Sequence, residues 1–120
     1  MRNHEQSQTM EHAQPEPTEL AGIWGMDHGY EHNPYGVCIS FAPDGTGIIN
    51  PHTDGIPFGW KLSPEGLSLQ FDDLWMGPYP IQIEERKLPL GTFTSIVSRS
   101  ALLPFGLSEF QLISREPFRP

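Results

Sequence analysis

Proline and glycine break this chain so often that no long helix fits between them. Thirteen prolines and twelve glycines are spread through 120 residues. Proline removes the amide that a helix interior needs and glycine weakens it, whereas both suit the turns between short strands. The segments between them alternate apolar and polar side chains, the period of a half-buried strand. An all-β domain is therefore expected.

Leu20–Met26 reads as a first strand. In Tyr35–Phe41 the alternation directs Tyr35, Val37, Ile39 and Phe41 to one face and Gly36, Cys38 and Ser40 to the other. Pro43-Asp44-Gly45 is turn chemistry, and Thr46–Asn50 returns as the other half of a hairpin. Phe58, Trp60 and Leu62, then Pro64-Glu65-Gly66, then Leu67, Leu69 and Phe71 form the clearest hairpin. Tyr79–Glu84, Thr92–Ser98 and Glu109–Ser114 complete about eight strands. Segments 27–34, 51–57, 72–78 and 99–108 read as irregular, with one helical turn allowed at 100–106. Arg86 and Lys87 read as a solvated strand end. Consecutive antiparallel strands make an up-and-down meander, and closing it into a small barrel removes two exposed edges.

Residues 1–19 carry almost no apolar side chains and read as a disordered tail before a domain spanning 20–120. His4 and His12 belong to that tail as solvated side chains. Fifteen acidic against seven basic residues leave a net charge of −8. Nucleic acid and anionic membranes are disfavoured as partners, and basic proteins favoured. The single cysteine, Cys38, excludes an intramolecular disulfide and fits a reducing, cytoplasmic setting. No apolar run has the length of a secretion signal or a membrane span.

Gly22-Ile23-Trp24 matches the Gly-x-Trp arrangement that opens lipocalins. Phe41-Ala-Pro-Asp44-Gly45-Thr46-Gly47, Phe58-Gly-Trp60 and Leu67-Ser-Leu69 follow in order. Over residues 20–114 the chain resembles short bacterial lipocalin-like domains of the calycin type. That resemblance implies a closed eight-stranded barrel plugged at one end by Trp24, and a small apolar ligand. The chain is shorter than a full lipocalin and lacks its C-terminal helix. Trp24, Phe41, Phe58, Trp60, Phe71, Tyr79 and Phe110 all point inward on this reading, enough to fill so narrow a barrel.

The densest set of metal-capable side chains is Asp27, His28, Glu31 and His32. Gly29, Asn33 and Pro34 oppose a helix there, and on a strand His28 and His32 would stand about 13 Å apart. An exposed polar loop is the expectation, with no metal or other cofactor. His52 and Asp54 read as a turn, as does Asp44-Gly45-Thr46-Gly47. Cys38, inside a strand, packs rather than reacts. The carboxylate pairs Asp72/Asp73 and Glu84/Glu85 read as solvated. No nucleophile elbow or phosphate loop is present, so the chain reads as a non-enzyme; catalysis would need His28, Glu31, His32 or Tyr79 to converge.

Segment 72–78 is different, because it sets two carboxylates beside Leu74, Trp75 and Met76. Trp75 and Met76 either cap the barrel end or form an interface patch whose carboxylate rim attracts a basic partner. Tyr30 and Glu31 join Asp72, Asp73, Trp75 and Met76 in the candidate surface if both loops share one end. The expected function is a non-enzymatic binding module, for a small apolar ligand or a protein. The alternative is an acidic immunity or inhibitor protein that neutralises a basic toxin by direct binding.

Overall fold

The computed structural model describes residues 15–98 and 109–119. Most of the expected tail, with His4 and His12, lies outside the described residues, as does the expected helical turn at 100–106. Across the expected boundary between tail and domain, Pro17–Leu20 forms one turn of helix, α1, so the last residues of the tail are ordered rather than disordered. Pro17 at its start has φ suited to a helix. The Glu16 amide donates to Glu19 Oε1 at 2.8 Å, closing a capping box around the turn.

Nine strands follow: β1 (Gly22–Gly25), β2 (Cys38–Phe41), β3 (Thr46–Ile49), β4 (Ile56–Ser63), β5 (Gly66–Phe71), β6 (Leu74–Tyr79), β7 (Gln82–Leu88), β8 (Gly91–Val97) and β9 (Glu109–Ser114). They form one antiparallel sheet in the order β6-β5-β4-β3-β2-β1-β9-β8-β7. The all-β meander is as expected. Among the described residues no helix is long and apolar enough to cross a membrane.

Three expectations need correction. Segment 72–78 is not a loop, because Asp72 and Asp73 make a two-residue turn and the chain returns at once as β6, Phe71 opposite Leu74. Asp72 takes the left-handed conformation, φ 55°, which aspartate accepts better than most residues. Tyr35 and Val37 do not face the core, because β2 begins only at Cys38 and both side chains are exposed. Asn33 turns the chain just before it, its carbonyl accepting from the Gly36 amide and its Oδ1 from the Tyr35 amide.

The third correction concerns closure. No ladder joins β6 to β7, so the sheet is not closed into a barrel. Every ladder from β6 round to β7 is antiparallel. There are eight such steps in the strand order, so β6 and β7 point the same way. Parallel neighbours need a crossover of roughly a dozen residues, and only Pro80 and Ile81 lie between these two. The strands therefore run head to tail, β6 paired to β5 and β7 to β8. The expected strand Tyr79–Glu84 is split at that joint.

One face of the sheet carries the core. Trp24, Ile39, Phe41, Phe58, Trp60, Leu67, Leu69, Ile81, Ile96 and Phe110 are buried together, with Phe71 and Tyr79 half-buried against them. Phe41 is the hub, edge-on to Phe58 (5.6 Å) and to Trp60 (5.4 Å). Each buried indole has its polar end satisfied. Trp24 Nε1 donates to the Leu20 carbonyl at 2.8 Å, and Trp60 Nε1 to those of Ala42 and Thr46. Gly47 is demanded by packing, since a Cβ there would collide with the Phe58 ring and the Ser40 carbonyl.

Replacing Trp24 with Ala removes a fully buried indole and its bond to α1. The expected loss is about 3–5 kcal/mol, read as a lower urea midpoint. Trp24→Phe should recover a large part of it.

Candidate functional site

The turn at Asp72 and Asp73 decides where the neighbouring apolar side chains go. Gln70 lies opposite Trp75 and Leu69 opposite Met76 across the β5–β6 ladder. Leu69 is core, so Met76 faces inward and is half-buried, whereas Trp75 stands on the outer face. The two residues therefore do not share one patch. Leu74 faces inward by the same alternation, yet it is 66% exposed at the start of β6, the end strand of the sheet.

Trp75 is 43% exposed. Lys61, from β4, holds its Nζ 4.3 Å from the indole centroid, a cation–π contact that covers part of the ring. Gln70, across from Trp75, lines one wall of an outer-face cleft of about 480 Å³. Ser40, Thr46, Ile48, Pro57 and Asp72 form most of the rest, and Phe118 closes one side. Asp72 and Trp75 thus flank Gln70 on the same outward surface.

The C-terminal segment builds the far wall. Arg115 donates to the Glu19 carbonyl at 2.6 Å, tying the end of β9 to α1. The Phe118 amide donates to Ser40 Oγ at 2.8 Å, and its ring meets His52 edge-on at 5.4 Å. His52 in turn contacts Tyr35. The expected turn residue is thus an aromatic bridge between the β3–β4 loop and the strap.

Tyr30 and Glu31 lie in the β1–β2 loop, both exposed. The Leu90 amide donates to the Gly29 carbonyl, fastening that loop to the β7–β8 turn. Among the described residues no hydrogen bond, ion pair or ring contact joins Tyr30 or Glu31 to Asp72, Asp73, Trp75 or Met76. Of the expected polar loop, Asp27 and His32 come together, Nδ1 to Oδ2 at 2.8 Å, and Asp27 Oδ1 accepts from the Asn33 amide. Those contacts fold the loop. Among the described residues no group of three His, Cys, Asp or Glu side chains gathers. Tyr79 packs toward the core opposite Leu67.

Sequence reasoning missed Lys61 beside Trp75 and the part played by Phe118. Alternation in β4 and β5 does place Lys61 and Gln70 on one outward face. Phe118, between Pro117 and Arg119 in an irregular stretch, carries no periodic signal.

Among the described residues, two ionisable groups on β2 and the turn after it have displaced acidities. Burial, with the nearby Asp27 charge adding to it, pushes the Cys38 thiol up. At pH 8 native Cys38 should therefore react with a thiol reagent roughly tenfold or more slowly than after unfolding in urea. Asp44 is exposed, but its carboxylate accepts the Thr46 hydroxyl at 2.6 Å and amide at 3.0 Å, which lowers its pKa. Its support of the β2–β3 turn is complete above the ordinary aspartate value and fades as pH falls through the depressed one. Thr46→Val should move that carboxyl upward in an NMR titration.

Comparison with family models, with curated proteins and with solved structures found no match, so the chain is assigned here to no family.

Proposed function

We propose that this chain is a non-enzymatic binding module on a lipocalin-like antiparallel sheet, and that its target is a basic protein. The observation that carries this reading is the exposed Trp75 on the outer face of the edge strand β6, close behind the exposed carboxylates of Asp72 and Asp73. A tryptophan at the centre of a contact is a common source of binding energy, and carboxylates around it steer a basic partner. The net charge of −8 adds a long-range attraction of the same sign.

A protein target is preferred to an internal apolar ligand because the aromatic side chains expected to point inward pack on one another. Phe41, Phe58 and Trp60 meet edge-on, and Trp24 and Phe110 are buried beside them. The inhibitor reading, an immunity protein for a basic toxin, is the specific form of this proposal that the acidic composition favours. The single cysteine is in keeping with a cytoplasmic setting.

The test is affinity capture from the protein's own source at low salt, with native mass spectrometry of what is retained. Wild type should hold a basic protein. Trp75→Ala should weaken that complex roughly thirtyfold or more, and Asp72→Asn with Asp73→Asn should slow its association, most at low ionic strength. Circular dichroism should stay native in both variants. Undiminished binding by both, or retention of only a small molecule, would overturn the reading.

A further inference from the structure

Four side-chain oxygens in one part of the sheet are shut away from water without a hydrogen-bond partner: Ser95 Oγ, Ser98 Oγ, Glu109 Oε2 and Gln111 Oε1. Three of them share a face. Gly25, Gln111, Ser95 and Glu84 stand opposite one another in a row across β1, β9, β8 and β7. Ile96 and Phe110, the neighbours of Ser95 and Gln111, point into the core. Ser95 and Gln111 therefore lie on the outer face, and so does Glu109, two residues from Gln111. Yet Ser95 is 0% exposed and Gln111 4%.

The surroundings are built from charge. Arg86 lies 3.7 Å from a Glu84 oxygen and 3.4 Å from Glu109 Oε1, which leaves Glu109 Oε2 to find another partner. At the far end of the row a Cβ on Gly25 would stand 2.7 Å from Asp27 Oδ2, so that carboxylate covers the glycine. Among the described residues the Arg86 guanidinium lies between the Glu84 and Glu109 carboxylates. Carboxylate and amide oxygens can only accept, and a hydroxyl turns either way. Buried acceptors left unpaired destabilise a fold, so the group they lack is a donor or a cation. Oxygen ligands without nitrogen or sulfur suit a hard cation.

We propose that Ser95 Oγ, Glu109 Oε2 and Gln111 Oε1 form a binding site for a small hard cation, sodium-like or calcium-like, on the outer face of β8 and β9. The ion supplies the partner that these three oxygens lack and clamps the two strands, whose ladder runs from Ser95 to Val97 on β8 and from Glu109 to Gln111 on β9.

The full chain is exchanged into tetramethylammonium chloride with a chelator. Thermal unfolding is then followed as NaCl, KCl, MgCl2 or CaCl2 replaces that salt at constant ionic strength, the chelator being omitted from the divalent series. One ion should raise the midpoint saturably, by on the order of 10 °C at a hundredfold excess over its dissociation constant. Glu109→Gln should lose the response, and Glu116→Gln, at an exposed position, should keep it. Ser95→Ala guards against a Glu109→Gln chain that does not fold. It removes a buried unpaired hydroxyl, so it should fold at least as well without the ion and respond less to it. Equal effects of all the salts, no effect of any, or a full response in both site variants would show that these oxygens are served by water alone and overturn the proposal.

Discussion

Two residues between β6 and β7 govern the shape of this molecule. Pro80 and Ile81 join strands that point the same way at opposite ends of one sheet. A sheet whose ends are so closely tethered has to curl. Curling turns one face inward along the whole strand order, and on that face the sequence places Trp24, Phe41, Phe58, Trp60 and Phe110. Ile81 itself is buried in that core, so the tether is held by apolar packing as well as by covalent bonds. The hydrophobic driving force and the chain connectivity favour the same geometry.

The outer face is less ordinary than in a sheet with one side simply in water. Cys38, Ser40, Ser95 and Gln111 are all buried there. The β1–β2 loop folds back over Gly25 through Asp27 and His32, and the C-terminal strap crosses to Ser40 through Phe118. Among the described residues these covering segments are anchored by polar contacts and, at Phe118, by a ring contact with His52. The outer face therefore contains both the cleft beside Trp75 and the polar row through Ser95, two environments that a bare sheet would not create.

Much of this was legible in the residues. The β4–β5 hairpin follows from strict alternation on either side of Pro64-Glu65-Gly66, and β9 spans Glu109–Ser114 as expected. The strand β6 was hidden because Leu-Trp-Met-Gly-Pro has no period of two and its turn is made of two aspartates without a glycine. Closure was misjudged for a different reason. Residues 79–84 alternate as one strand, and only the ladders reveal that its two parts serve different neighbours. Of the candidate surface, Asp72, Asp73 and Trp75 were visible as an anomaly in a supposed loop. The opposite directions of Trp75 and Met76 needed the register, and the common face of Ser95, Glu109 and Gln111 needed it too, since β8 and β9 are separate in sequence and these residues are unremarkable in type.

The joint at Pro80 and Ile81 also sets where the chain can change length. Connections between strands usually tolerate insertion, because a hairpin loop can grow without disturbing the pairing on either side. This connection has no such freedom. Since the ladder with β8 fixes which way the side chains of β7 face, an added residue would have to be absorbed at the joint itself, where it would displace Ile81 from the core. A short, proline-marked link between two strands, which looks like the most expendable kind of segment, is here a spacer whose length decides whether Ile81 reaches the core.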